Sequence, residues 1–167
     1  MTAKAETTMA KTDYVIEPGK QELTITRVFD APRELVFKAW TDSRHVAEWW
    51  GPNGFTTTVH EMDVRPGGVW RFVMHSPDGV DFDNKIVFHE VVESERLVFT
   101  HSSGEAGDAG FESIVTFVDE GGKTRLTLRQ MYATAAEREY VAREYHAVEM
   151  GHQTFDRFAA YLVTRTA

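Results

Sequence analysis

Apolar and polar positions alternate along most of the chain, and the alternation predicts a run of strands. Leu23, Ile25, Arg27 and Phe29 share one side of a first strand, with Thr24, Thr26 and Val28 on the other. Asp30-Ala31-Pro32 then opens a helix, because proline is tolerated where the first-turn N–H is unpaired anyway. Leu35, Val36, Ala39 and Trp40 form its apolar stripe. Asp42 or Ser43 caps a second short helix through Trp49, which Gly51-Pro52-Asn53-Gly54 ends. Further strands follow at Phe55 to Val64, Val69 to His75, Lys85 to Val92, Leu97 to His101, Phe111 to Val118 and Thr124 to Tyr132. Their short turns make the sheet antiparallel.

After the strands the period changes. Thr134-Ala135-Ala136-Glu137 is a capping box, and Val141, Tyr145, Val148, His152, Phe155, Ala159 and Leu162 recur three and four apart. This predicts one helix from Ala135 to Thr164, about 45 Å long at 1.5 Å per residue. Such a helix crosses the whole molecule or bends, and Gly151 is the expected bend.

Seven strands cannot bury their inner face alone, and the long helix is the element large enough to cover it. The expected fold is therefore α+β, a curved seven-stranded antiparallel sheet gripping a long C-terminal helix, with two short helices after the first strand. Alternation turns Trp70, Phe72 and Met74 inward, with Ile86 and Phe88 on the next strand. Leu97, Phe99, His101, Val115, Phe117, Leu126, Leu128, Gln130 and Tyr132 follow on the same face. A curved sheet leaves a gap at one end of the helix, a natural place for a pocket.

Composition narrows the function. The 167 residues fit one domain, read as 13–167, preceded by a disordered tail at 1–12. Cysteine is absent, which excludes disulfides, thiolate metal sites and cysteine nucleophiles. Eighteen basic against 26 acidic residues give a net charge of −8, which argues against nucleic acid or an anionic membrane as partner. Neither a secretory signal nor a membrane-spanning run is evident, so the default location is cytoplasmic. Eleven Phe, five Tyr and four Trp make 12% of the chain aromatic, which means either a bulky core or an apolar pocket.

Trp49-Trp50-Gly51-Pro52-Asn53-Gly54-Phe55, followed by Asp63-Val64-Arg65-Pro66-Gly67-Gly68-Val69-Trp70-Arg71-Phe72, resembles the family of activator-of-heat-shock-protein-90-ATPase homologues. That family belongs to the START-like (SRPBCC, birch-pollen-allergen-like) superfamily. Asp30-Ala31-Pro32-Arg33-Glu34-Leu35-Val36-Phe37, Glu95-Arg96-Leu97-Val98-Phe99-Thr100 and the ending Gln153 to Leu162 fit the same pattern. The resemblance spans roughly Leu23 to Val163. It implies a helix-grip fold and a START-like domain, within a superfamily of lipid carriers, hormone binders, cyclases and co-chaperones. Members often carry Gly-Trp before the Gln-Thr segment, where this chain has Gly151-His152.

Seven histidines show neither a His-Glu-x-x-His motif nor a close His-x-His pair, so no metal site is signalled. No nucleophile elbow, phosphate loop or other cofactor motif is present, and no catalytic residue is assigned. The expected function is binding of a small hydrophobic molecule between sheet and helix. The expected lining is Trp50, Phe55, Trp70, Phe72, Met74, Phe88, Phe99, His101, Phe117, Tyr132, Tyr145, Val148, His152 and Phe155. One alternative is a cyclase or hydrolase of aromatic or polyketide compounds, with His101 or His152 as acid–base. Another, implied by the resemblance, is a co-chaperone with the chaperone as partner.

Overall fold

The structure, a computed structural model, describes residues 13–16, 20–144 and 146–166. The segment 1–12, expected as a disordered tail, and Tyr145 lie outside the described residues. In chain order the elements are β1 (Asp13–Ile16), β2 (Glu22–Phe29), α1 (Arg33–Thr41), α2 (Ser43–Trp49), β3 (Thr56–Met62) and β4 (Val69–His75). Then come β5 (Asp81–Val92), β6 (Arg96–Ser102), β7 (Phe111–Glu120), β8 (Lys123–Met131), α3 (Ala135–Glu144) and α4 (Ala147–Thr166). The strands form one antiparallel sheet in the order β1-β2-β8-β7-β6-β5-β4-β3. The seven strands expected from the sequence are all present, and the four-residue β1 pairs onto the β2 edge. The result is the helix-grip architecture.

Local chemistry explains most boundaries. Pro32 sits at the N-cap of α1 with φ −68°, and the Asp42 side chain caps α2 by accepting the Arg44 N–H at 2.9 Å. Thr134 Oγ1 accepts the Glu137 N–H at 3.0 Å, the forward half of the predicted capping box. Strand β5 begins four residues earlier than its sequence suggests. Its acidic start has low strand propensity, yet the pairing of Asp81 with His75 and of Phe82 with Met74 holds it in the sheet.

The Arg65-Pro66-Gly67-Gly68 turn folds onto β5. Gly67 N–H donates to the Phe88 carbonyl at 2.8 Å, and Phe88 N–H returns a bond to the Gly68 carbonyl at 2.9 Å. Gly67 has φ +83°, and a Cβ on Gly68 would lie 1.9 Å from the Asp63 carbonyl oxygen. No other residue fits there. Bulges between Val59 and Glu61 and between Phe88 and Glu90 interrupt the register and add local bend.

The predicted single C-terminal helix is two. The break falls between Glu144 and Ala147, where His146 has φ +50°, and Gly151 lies inside unbroken α4. The 20 residues of α4 span about 30 Å. Segment α3 is mostly polar and is anchored by buried Arg138, whose Nε donates to the Lys20 carbonyl at 3.0 Å.

Helix α4 lies against the concave face through its second half. Phe158 stacks on Trp49 at 3.9 Å between ring centroids and meets Phe29 edge-on at 4.9 Å. Phe155 adds edge contacts to Phe29 and Trp40. Arg27, facing inward on β2, reaches the Asp156 carboxylate at 2.6 Å with its guanidinium over the Phe29 ring. Phe158 is fully buried and Val163 is 64% exposed. Phe158→Ala should therefore cost about 3–5 kcal/mol in urea unfolding, and Val163→Ala less than about 0.5 kcal/mol. Equal effects would refute this placement of the helix.

Candidate functional site

The adjacent tryptophans decide how one end of the concave face is filled. Side by side on one helix, Trp49 and Trp50 would point about 100° apart and could not both turn inward. Helix α2 stops at Trp49, however, and Trp50 is extended, with φ −65° and ψ 129°. The change of direction turns both rings inward. Trp49 joins the core, and Trp50 stands edge-on to Trp70 and Trp40. The following loop is tied to α4. One guanidinium nitrogen of Arg157 donates to the Gly51 and Pro52 carbonyls at 2.8 Å each and to Phe55 at 3.2 Å. One turn earlier on α4, Gln153 Oε1 accepts the Asn53 N–H at 3.0 Å.

Behind this end, sheet and helix separate around a partly open cavity of about 300 Å³. Its floor is the concave face of β6, β7 and β8, presenting Phe99, His101, Phe111, Ser113, Leu128 and Gln130. Its roof is Val141 from α3 with Met150, Gly151, Thr154 and Phe155 from α4. Trp40, Trp49, Trp50, Gly51 and Pro52 close one end, while Ile25, Met74 and Tyr132 complete the wall. No Asp, Glu, Lys or Arg is among these described wall residues.

Of the lining expected from sequence, Trp50, Met74, Phe99, His101, Tyr132 and Phe155 come together here. Four others sit one layer behind. Trp70 and Phe72 stack on each other at 4.5 Å, Phe88 packs on Phe99, and Phe117 packs on Phe37 and Trp40. Alternation gives a side chain's face but not its depth. Phe55 is half-buried beside Phe82, outside the wall. Val148 and His152 are also outside it, around a separate shallow depression with His146 and Gln153. The expected stripe holds at Phe155 and Leu162 but not at Val148 and His152, and the inner face runs through Gly151, Thr154, Phe155, Phe158 and Leu162. Sequence reasoning also passed over Ser113. The signal was present, a small polar residue at the same parity as Val115 and Phe117.

The polar atoms of the wall are few and unusual. Ser113 Oγ and the Trp40 indole nitrogen are buried without a hydrogen-bond partner. Burial drives the Tyr132 phenol up to about 12, Glu137 adding to the shift and Arg138 opposing it, so it stays protonated. His101 lies between Phe72 and Phe111, and burial pushes its imidazole down to about 4 despite the nearby Asp108 carboxylate.

This depression has a consequence for folding. Between pH 6.5 and about 4 the unfolded chain binds a proton at His101 that the folded protein resists. Stability contributed by the neutral ring is therefore full above that window and falls as pH drops through it. His101→Gln should lose less melting temperature than the unsubstituted protein between about pH 7 and about pH 4.5. Parallel losses in calorimetry would contradict a half-buried neutral imidazole.

Comparison with known proteins places this geometry. The family described as Activator of Hsp90 ATPase homolog 1-like protein matches residues 30–163. No curated protein matches the chain. Among solved structures, protein Ms6760 from Mycobacterium smegmatis is 27% identical with a TM-score of 0.83, over 93% of this chain and 99% of that one. A protein from Arthrobacter aurescens shares the fold at 20% identity and a TM-score of 0.83, over 91% of both chains. The AHSA1 protein from Silicibacter pomeroyi shares it at 23% identity and a TM-score of 0.69, over 86% of this chain and 99% of that one. Among the described residues no helix is long and apolar enough to cross a membrane. The match over residues 30–163, on a curved sheet that grips α4, makes this chain a member of the Activator of Hsp90 ATPase homolog 1-like family.

Proposed function

We propose that the protein binds a small hydrophobic molecule in the cavity between the sheet and α4. The observation that carries this reading is the cavity itself, walled mostly by aromatic and aliphatic side chains with His101, Gln130, Tyr132 and Thr154 as its few polar ones. The volume is at the small end of ligand sites, and aromatic walls with a few polar groups are their usual lining. The pinned 50–55 loop supports the reading too, because a preformed wall costs little ordering when a ligand enters.

The test uses N-phenylnaphthylamine, a neutral dye that brightens in apolar surroundings. The protein should bind it saturably, with tryptophan quenching from the three rings at the closed end. Thr154→Phe places a ring in the cavity from α4 and should weaken the dye by at least about tenfold, while the fold persists by circular dichroism. No saturable binding, or equal binding by the filled variant, would remove the proposal.

A further inference from the structure

The convex side of the sheet, away from the cavity, carries a separate arrangement of polar groups. At the sheet's end β3, β4 and β5 lie side by side, and the register sets Thr56 and Asp81 on either side of His75. Trp70, Phe72 and Met74 take the inner parity of β4, so His75 stands on the outer face. Thr58, next to buried Thr57, shares that face. There the His75 ring bridges its neighbours. Its Nδ1 lies 2.7 Å from Asp81 Oδ1, and its Nε2 lies 2.8 Å from Thr58 Oγ1. A carboxylate only accepts, so Nδ1 carries a proton, and in the neutral ring Nε2 accepts the hydroxyl of Thr58.

The adjoining turn holds this chain of bonds in place. Ser76 N–H donates to the Val80 carbonyl at 2.8 Å, and Val80 N–H donates to Ser76 Oγ at 2.9 Å. The hairpin is thus closed directly beside His75 and Asp81. Another histidine, threonine and carboxylate on the same face make the contrast. Thr100 Oγ1 donates to Glu112 Oε2 at 2.9 Å, so its one proton is committed, and His89 Nε2 at 2.7 Å must donate to it. The Thr100 hydroxyl has no proton left to give a base, whereas that of Thr58 is directed at one.

We propose that Thr58 is a nucleophile toward activated esters, with His75 as its general base and Asp81 positioning the imidazole. A hydroxyl bonded to a base that a third group orients is the signature of an activated nucleophile. The chemistry is acyl transfer. Thr58 Oγ1 attacks the ester carbonyl carbon as its proton passes to His75 Nε2. The new C–O bond forms, the bond to the leaving oxygen breaks, and the proton leaves with that oxygen. The acyl group stays on Thr58 until a water, giving a proton to Nε2, releases it as the acid and restores the hydroxyl. Thr58 is exposed and His75 half-buried, so an ester reaches the hydroxyl from solvent. A site this open offers little stabilisation to the tetrahedral oxyanion, which restricts it to esters with acidic leaving groups, such as aryl esters.

The full chain and p-nitrophenyl acetate supply the test. Peptide mass mapping after brief exposure should place an acetyl group on Thr58. In His75→Gln that acetylation should slow by at least about tenfold, and in Thr58→Val it should vanish, with both folds unchanged by circular dichroism. In Asp81→Ala it should slow likewise, and nitrogen NMR should show the His75 proton shared between both ring nitrogens instead of held on Nδ1. Loss of strand packing alone would not move that proton. Acetyl groups confined to lysines and the N-terminus, or a Thr58 rate unchanged in His75→Gln, would overturn the inference. Neither result bears on the cavity, which lies on the other face of the sheet.

Discussion

Everything in this molecule follows from a mismatch of areas. A curved eight-stranded sheet presents more apolar surface on its inner side than one helix can cover. The C-terminal half of α4 covers one part, through Phe155, Phe158 and Leu162. The two short helices cover another, delivering Trp40 and Trp49 into the same aromatic stack. Where neither reaches, β6, β7 and β8 face a cavity rather than a neighbour. The interior of this fold and its candidate site are thus one surface, divided only by where the covering elements end.

Polar ties keep that division in place. Arg27 and Asp156 join the sheet to the helix within the aromatic layer. Arg157 and Gln153 join the same helix to the loop that closes the cavity. Because these three residues lie within five positions on α4, the helix, the loop and the closed end behave as one body. The opposite rim is built differently. Helix α3 meets α4 across the break at His146 and contributes only Val141 to the described wall. Local opening is easier on that side.

The sequence disclosed the fold better than the site, for a physical reason. Strand alternation has a period of two and reports a face directly. Every inward residue from Trp70 to Tyr132 named on that basis is buried or half-buried on the concave side. Depth is another matter. Phe88 and Phe117 share a face with Phe99 and Ser113, yet they lie under other rings while the latter two border the cavity. The helical stripe succeeded only in part. Phe155 and Leu162 lie on the inner face as expected, whereas Val148 and His152, near the start of α4, border a separate depression. Phe158, the best-packed ring on α4, was missing from the stripe.

The lone hydroxyl of Ser113 also bears on how this protein could be made more robust. A buried hydroxyl without a partner is a standing destabilisation of the empty protein, and alanine or a slightly larger apolar residue would relieve it. Position 113 is therefore one where selection for heat resistance should favour an apolar side chain, and a serine kept there is one that stability alone does not explain.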